Sequence, residues 1–186
     1  MTCYFITHPE VIVDPAVPID EWRLSPEGRE RAARMADVLR GNVETIISSA
    51  ERKAIDTAVI LAEALEVSRS TDPTLGEMDR SATGYLPPAE FEATADQFFA
   101  FPDESVRGWE RAIDAQRRIK TAVQRNLSDF PAANVAFVAH GGVGGLLLAS
   151  LTGASISRDL DQPGLGSYFT FDAENWRALS CWARIG

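Results

Sequence analysis

The chain has little of several things, and each scarcity closes off a class of function. Two cysteines among 186 residues, Cys3 and Cys181, are too few for a disulfide framework and lack metal-ligand spacing, so they read as small buried hydrophobes in a reducing compartment. No window approaches the ~20 apolar residues of a membrane span. No basic segment precedes the first apolar run, so no secretory signal is expected. Basic residues are short as well: 18 Lys and Arg against 27 Asp and Glu leave a net charge of −9, without the positive footprint that nucleic acid requires. The expectation is a cytoplasmic chain that binds neither membrane nor nucleic acid. A length of 186 residues fits one domain of the usual ~100–200 residues, and no repeat or low-complexity stretch divides it.

Histidine is equally scarce, and its placement is informative. The run Tyr4-Phe5-Ile6-Thr7 ends on His8 and stops at Pro9; the run Val135-Ala136-Phe137-Val138-Ala139 ends on His140 and stops at Gly141-Gly142. Both have the length and the β-branched and aromatic content of buried strands closed by a backbone breaker. A lone histidine at a strand end is usually satisfied by one hydrogen bond. Two at equivalent positions suggest a shared site, because ligands bind at the carboxyl edge of a parallel α/β sheet.

Further along, the segment from Pro9 to Pro18 is proline-punctuated and excludes a helix. Ser25-Pro26 starts a helix that ends near Gly41. Thr45-Ile46-Ile47 is a short strand, and Ser49 is placed to cap a helix carrying an apolar stripe from Ile55 to Leu65. Arg52 in the first turn of that helix conflicts with the macrodipole, which an anion between dipole and guanidinium would resolve. The alternative for Arg52 is a solvated surface arginine. A long helix is expected from Glu104-Ser105 to about Leu127, another from Val143 to Leu151, and a closing strand pair at 167–172 and 177–182. The whole reads as an α/β three-layer sandwich, a mainly parallel sheet with helices on both faces.

Taken in order, His8-Pro9-Glu10, Leu24-Ser25-Pro26-Glu27-Gly28, Ser48-Ser49-Ala50-Glu51-Arg52 with Thr57-Ala58, Leu75-Gly76-Glu77 and Val138-Ala139-His140-Gly141-Gly142 resemble the histidine phosphatase superfamily, phosphoglycerate mutase-like branch. The resemblance spans nearly all of residues 1–186 as a single domain, with a lid or insertion segment at about 78–106. It implies a phosphomonoester hydrolase that needs no metal or cofactor and acts on a phosphorylated metabolite or phosphoprotein. His8 is implied as the nucleophile that takes the phosphoryl group, Arg52 as the grip on phosphate oxygens, His140 as the second pocket histidine that donates to the phosphoryl group and Glu77 as the proton donor to the leaving alcohol. Gly141 would bring backbone close to the phosphate. A mutase is the less favoured activity, since re-transfer calls for a more enclosed site.

The first motif departs from the family's Arg-His-Gly, reading Thr7-His8-Pro9. Thr7 can donate one hydrogen bond to phosphate but carries no charge; losing a charge-assisted contact of ~1.5–3 kcal/mol slows a reaction by about one to two powers of ten. Arg23 or Arg80 are candidates to compensate, and an arginine restored at position 7 is expected to speed turnover. The competing reading is a degenerate phosphate-binding or regulatory module of the same fold. Among Phe91, Phe98, Phe99 and Phe101, packing against the core is favoured over substrate contact, and Tyr85 is the candidate pocket wall.

Overall fold

A computed structural model describes residues 1–131 and 133–186. Its central sheet grows from the apolar runs picked out above. β1 (Thr2–Thr7), β2 (Thr45–Ser48), β3 (Ser68–Thr71) and β4 (Val135–Ala139) form a parallel core in the order β3-β2-β4-β1. β5 (Ser167–Asp172) lies antiparallel on β1, with the short β6 (Arg177–Ala178) and β7 (Ala183–Arg184) pairing onto β5.

Period-two alternation then sends side chains to two cores. Ile6, Ile46, Ala136 and Val138 face α1 (Pro26–Leu39) and α2 (Arg52–Leu65), meeting Met35, Leu39, Ala58 and Leu61. Phe5, Ile47, Val135 and Phe137 face the opposite side, meeting Ile119 and Val123 of α4 (Ala112–Asp129) and Val143 and Leu147 of α5 (Gly141–Thr152). Helices on both faces explain why β2 and β4 are buried throughout. α3 (Pro88–Ala100) stands apart, its Phe98 and Phe99 packed with Trp109 and Leu146 in a third cluster. Those two phenylalanines are core, whereas Phe101 is exposed.

Helix starts follow chemistry the sequence displays. Ser25 caps α1 by accepting from the Gly28 amide at 3.1 Å with Pro26 in the first turn, and Gly153 ends α5 in the left-handed conformation. The long helix expected from Glu104 begins only at Ala112. A left-handed Arg107 (φ 52°) and Gly108 (φ 81°) interrupt it, and Trp109 instead donates its indole N–H to Thr83 at 2.9 Å. Cys3 is buried as expected, but Cys181 is exposed, since it follows the short β6 and lies in no interior strand.

Candidate active site

The β1–β4 register decides where the histidines go. Thr7 pairs with Ala139, so the next residue on each strand, His8 and His140, leaves the sheet at the same level. Their ring centroids lie 5.4 Å apart, edge to face. Both are at most 8% exposed, and both line a cavity of about 650 Å³ together with Glu51, Lys53, Glu77 and Arg80. A second cavity of about 610 Å³ shares His8, Lys53, Glu77 and Arg80 and extends over Val11, Trp22, Phe91 and Phe99.

His8 presents one free ring nitrogen. Its Nδ1 lies 2.8 Å from the Pro9 carbonyl oxygen, which can only accept, so the proton sits on Nδ1 and the Nε2 lone pair is left free. Burial, reinforced by the nearby Lys53 ammonium, lowers its pKa to about 4. The ring is therefore neutral at pH 7. His140 is neutral for the same first reason, its pKa lowered to about 3 by burial against the upward pull of Glu51. Its Nε2 lies 2.7 Å from the Ser49 hydroxyl and 3.2 Å from Glu51 Oε1; its Nδ1 is buried without a hydrogen-bond partner among the described residues.

Glu77 closes the opposite wall. Its Oε1 accepts from the Val143 amide at 2.9 Å and the Met78 amide at 3.2 Å, and its Oε2 accepts from the Gly142 amide at 3.1 Å. The carboxyl thus sits on the first turn of α5, packed so closely that a Cβ on Gly142 would lie 2.6 Å from Met78 Cε and 2.8 Å from Glu77 Oε1 and would have to displace both side-chain ends. Burial and the Glu51 charge raise the pKa of Glu77, outweighing these backbone donors. A carboxyl whose pKa is raised by burial is better suited to hold and deliver a proton than a solvated one.

Two of the residues expected to contact phosphate lie away from the cavities. Arg52 lines neither cavity; its Nε lies 2.9 Å from Asp56 one turn along, and its side chain is 39% exposed. Lys53 is the cation that enters, with its side chain 5% exposed and its ammonium bonded to Glu51 and, at 2.9 Å, to the Ile19 carbonyl. A helix turns about 100° per residue, so the neighbours at 52 and 53 cannot serve the same side.

Thr7 also leaves the pocket. Its hydroxyl lies 2.6 Å from Gln162 Oε1 and accepts from the Ser167 amide at 3.0 Å, which commits it to joining β1, β5 and the 162–167 loop. Gly141 lies beside that glutamine on the second cavity. An arginine at position 7, fully buried, would force a guanidinium among these partners. The expected result is therefore destabilisation of Thr7→Arg by about 2–4 kcal/mol, read as a melting temperature several degrees lower, and no gain in rate.

Of the compensating arginines, Arg80 lines both cavities and lies over the Phe91 ring at 5.0 Å. Arg23 is exposed and lines neither. Tyr85 does wall both cavities, 5.9 Å from Trp22. Ser49 does not cap α2, whose N-cap is Glu51; its hydroxyl holds His140 instead. Glu51 and Lys53 escaped the sequence reading, although Lys53 stands four and eight residues before Thr57 and Leu61 on the buried stripe of α2. Among the described residues no three His, Cys, Asp or Glu side chains converge as metal ligands, and no helix is long and apolar enough to cross a membrane.

A mainly parallel sheet between helical layers, with two strand-end histidines facing one cavity, makes a phosphoglycerate mutase-like α/β fold. The chain belongs to the histidine phosphatase superfamily (branch 1), whose family model matches residues 18–180. That match begins after His8, so the divergent first motif lies outside it. Solved structures with the same fold include a mycobacterial hydrolase (TM-score 0.80, 22% identity, 100% of this chain and 98% of that one). A mycobacterial glucosyl-3-phosphoglycerate phosphatase in complex with inorganic phosphate is similar at TM-score 0.77 and 24% identity, covering 100% and 97%. A phosphoserine phosphatase from Entamoeba histolytica in complex with 3-phosphoglyceric acid matches at TM-score 0.78 and 16% identity, covering 98% and 96%. No curated protein sequence matches the chain.

Proposed function

We propose that this protein is a phosphomonoester hydrolase that works through a phosphohistidine on His8, acting on a phosphorylated small molecule or phosphoprotein in the cytoplasm. The observation that carries this reading is the neutral, Nδ1-protonated His8, its pKa lowered to about 4, facing His140 across a cavity that also holds Lys53 and Arg80. In the first step Nε2 of His8 bonds to phosphorus while the ester P–O bond breaks. Its electron pair goes to the leaving oxygen, which takes a proton from Glu77. In the second step water attacks the phosphorus, the P–N bond breaks, and the water's proton returns to Glu77. Dividing the displacement this way replaces one difficult step by two easier ones, and Lys53 and Arg80 balance the charge on the equatorial oxygens. The aromatic walls at Tyr85 and Phe91, with Trp22 5.9 Å from Tyr85, fit the 78–106 segment's proposed role as a lid over the leaving group.

Hydrolysis of an aryl phosphate by paired variants tests the allocation. Lys53→Ala is expected to lower kcat/KM by about one to two powers of ten, whereas Arg52→Ala stays within about twofold. The reverse ranking would return the phosphate grip to Arg52. Equal background rates for wild type and His8→Ala would favour a phosphate-binding module without turnover, a reading that the loss of arginine at position 7 supports.

A further inference from the structure

Glu51 is out of place in a pocket for a phosphate dianion. It follows Ser49 at the head of α2, where a carboxylate ordinarily accepts from the helix's own amides, yet it makes no such cap bond. It turns instead into the cavity. There one oxygen accepts from the Glu77 amide at 2.8 Å and lies 3.2 Å from His140 Nε2, and the other is bonded to the Lys53 ammonium. Glu51 therefore neutralises one of the two cations that line the cavity, Lys53 and Arg80, while Asp20, Glu77 and Asp79 line it as well. The remaining charged neighbour, Arg118 on α4, is held by Glu110 at 2.7 Å. The phosphoryl site carries no surplus of positive charge.

The same carboxylate lies 3.2 Å from His140 Nε2, whose hydrogen bond runs to the Ser49 hydroxyl at 2.7 Å, and it adds a negative charge beside an imidazole that is itself neutral. Against so little positive charge, the second negative charge of a phosphate dianion is disfavoured, whereas a singly protonated phosphate brings one charge fewer and a hydroxyl that can donate to a carboxylate.

We infer that Glu51 is a specificity-determining residue that tunes this site to the monoanion of its phosphate ester, the form bearing one P–OH, and disfavours the dianion. The inference rests on the phosphatase reading above. Burial opposes ionisation of Glu51, but His140 and Lys53 outweigh it and hold the carboxyl below the usual range, so the discrimination persists across the interval near pH 6 in which a phosphate ester takes up its second proton. Glu51→Gln keeps an oxygen for the Glu77 amide and removes the charge.

Direct calorimetric binding of inorganic phosphate and of sulfate to the full chain, at about pH 5 and about pH 8, tests this. Sulfate remains a dianion throughout, so it separates the ligand's protonation from titration of His8, His140 or Glu77. Wild type is expected to bind phosphate at least about tenfold tighter at the lower pH, with sulfate changing far less. In Glu51→Gln, phosphate binding near pH 8 is expected to tighten about tenfold and the pH ratio to collapse. A pH ratio unchanged by Glu51→Gln, or sulfate following the same pH dependence as phosphate, overturns the inference. Should the variant fail to fold, the wild-type comparison of phosphate with sulfate still decides. The phosphatase reading fails separately, if wild type and His8→Ala hydrolyse an aryl phosphate at the same background rate.

Discussion

Replacing His8 with alanine is expected to lower turnover of any phosphomonoester substrate by at least about a thousandfold, which corresponds to ~4 kcal/mol of barrier. The size of the effect follows from what the imidazole is asked to do. Its Nδ1 proton is fixed on the Pro9 carbonyl, so the attacking lone pair is presented without a prior proton transfer. The other nitrogen bases of the cavity are more constrained: His140 is held through Nε2 by the Ser49 hydroxyl, and Lys53 is bonded to Glu51 and the Ile19 carbonyl. Folding is expected to survive, because His8 lies at the strand end and its backbone amide, not its ring, bonds the sheet through Ala139. Steady-state hydrolysis of an aryl phosphate, with circular dichroism as the folding control, measures this. Residual activity within tenfold of wild type would remove His8 from the nucleophile role.

The second large effect is expected at Glu77, and it depends on the leaving group. Glu77→Gln removes the transferable proton, so hydrolysis of an alkyl phosphate should fall by about a hundred- to ten-thousandfold. An aryl phosphate, whose leaving oxygen is stable as an anion, should lose far less. The amide nitrogen of glutamine would also face either the Gly142 amide or the Val143 and Met78 amides, all of which now donate to the carboxyl. Setting donor against donor costs about 1–3 kcal/mol of stability. That cost is common to both substrates and cancels in their ratio. Comparable losses for alkyl and aryl substrates would show that Glu77 positions α5 and transfers no proton.

Much of this was legible in the chain because it depends on strands. An apolar run that ends at a backbone breaker fixes its last residue at the sheet edge, and two such runs in parallel register bring their histidines level whatever lies between them. The pairing of Thr7 with Ala139 is the three-dimensional form of that pattern. What escaped depends on rotation about a helix and on partners distant in sequence. Arg52 and Lys53 are both cations in a first turn, and only the packing of α2 turns Lys53 inward while Asp56 claims Arg52. Thr7 gave no sign that Gln162 and Ser167, about 155 positions or more away, would occupy its hydroxyl. Glu51 resembles an ordinary N-cap acid until its carboxylate is found on His140 and Lys53.

Rapid quench of the enzyme with a labelled phosphomonoester, followed by alkaline work-up and mass mapping, most directly tests whether the phosphoryl group passes through His8. Phosphohistidine survives alkali and is lost in acid. The account predicts one acid-labile phosphoryl group on the peptide that contains His8, absent from His8→Ala and accumulating when water attack is slowed. Turnover with no trapped label, or label on His140 that persists in His8→Ala, would contradict it.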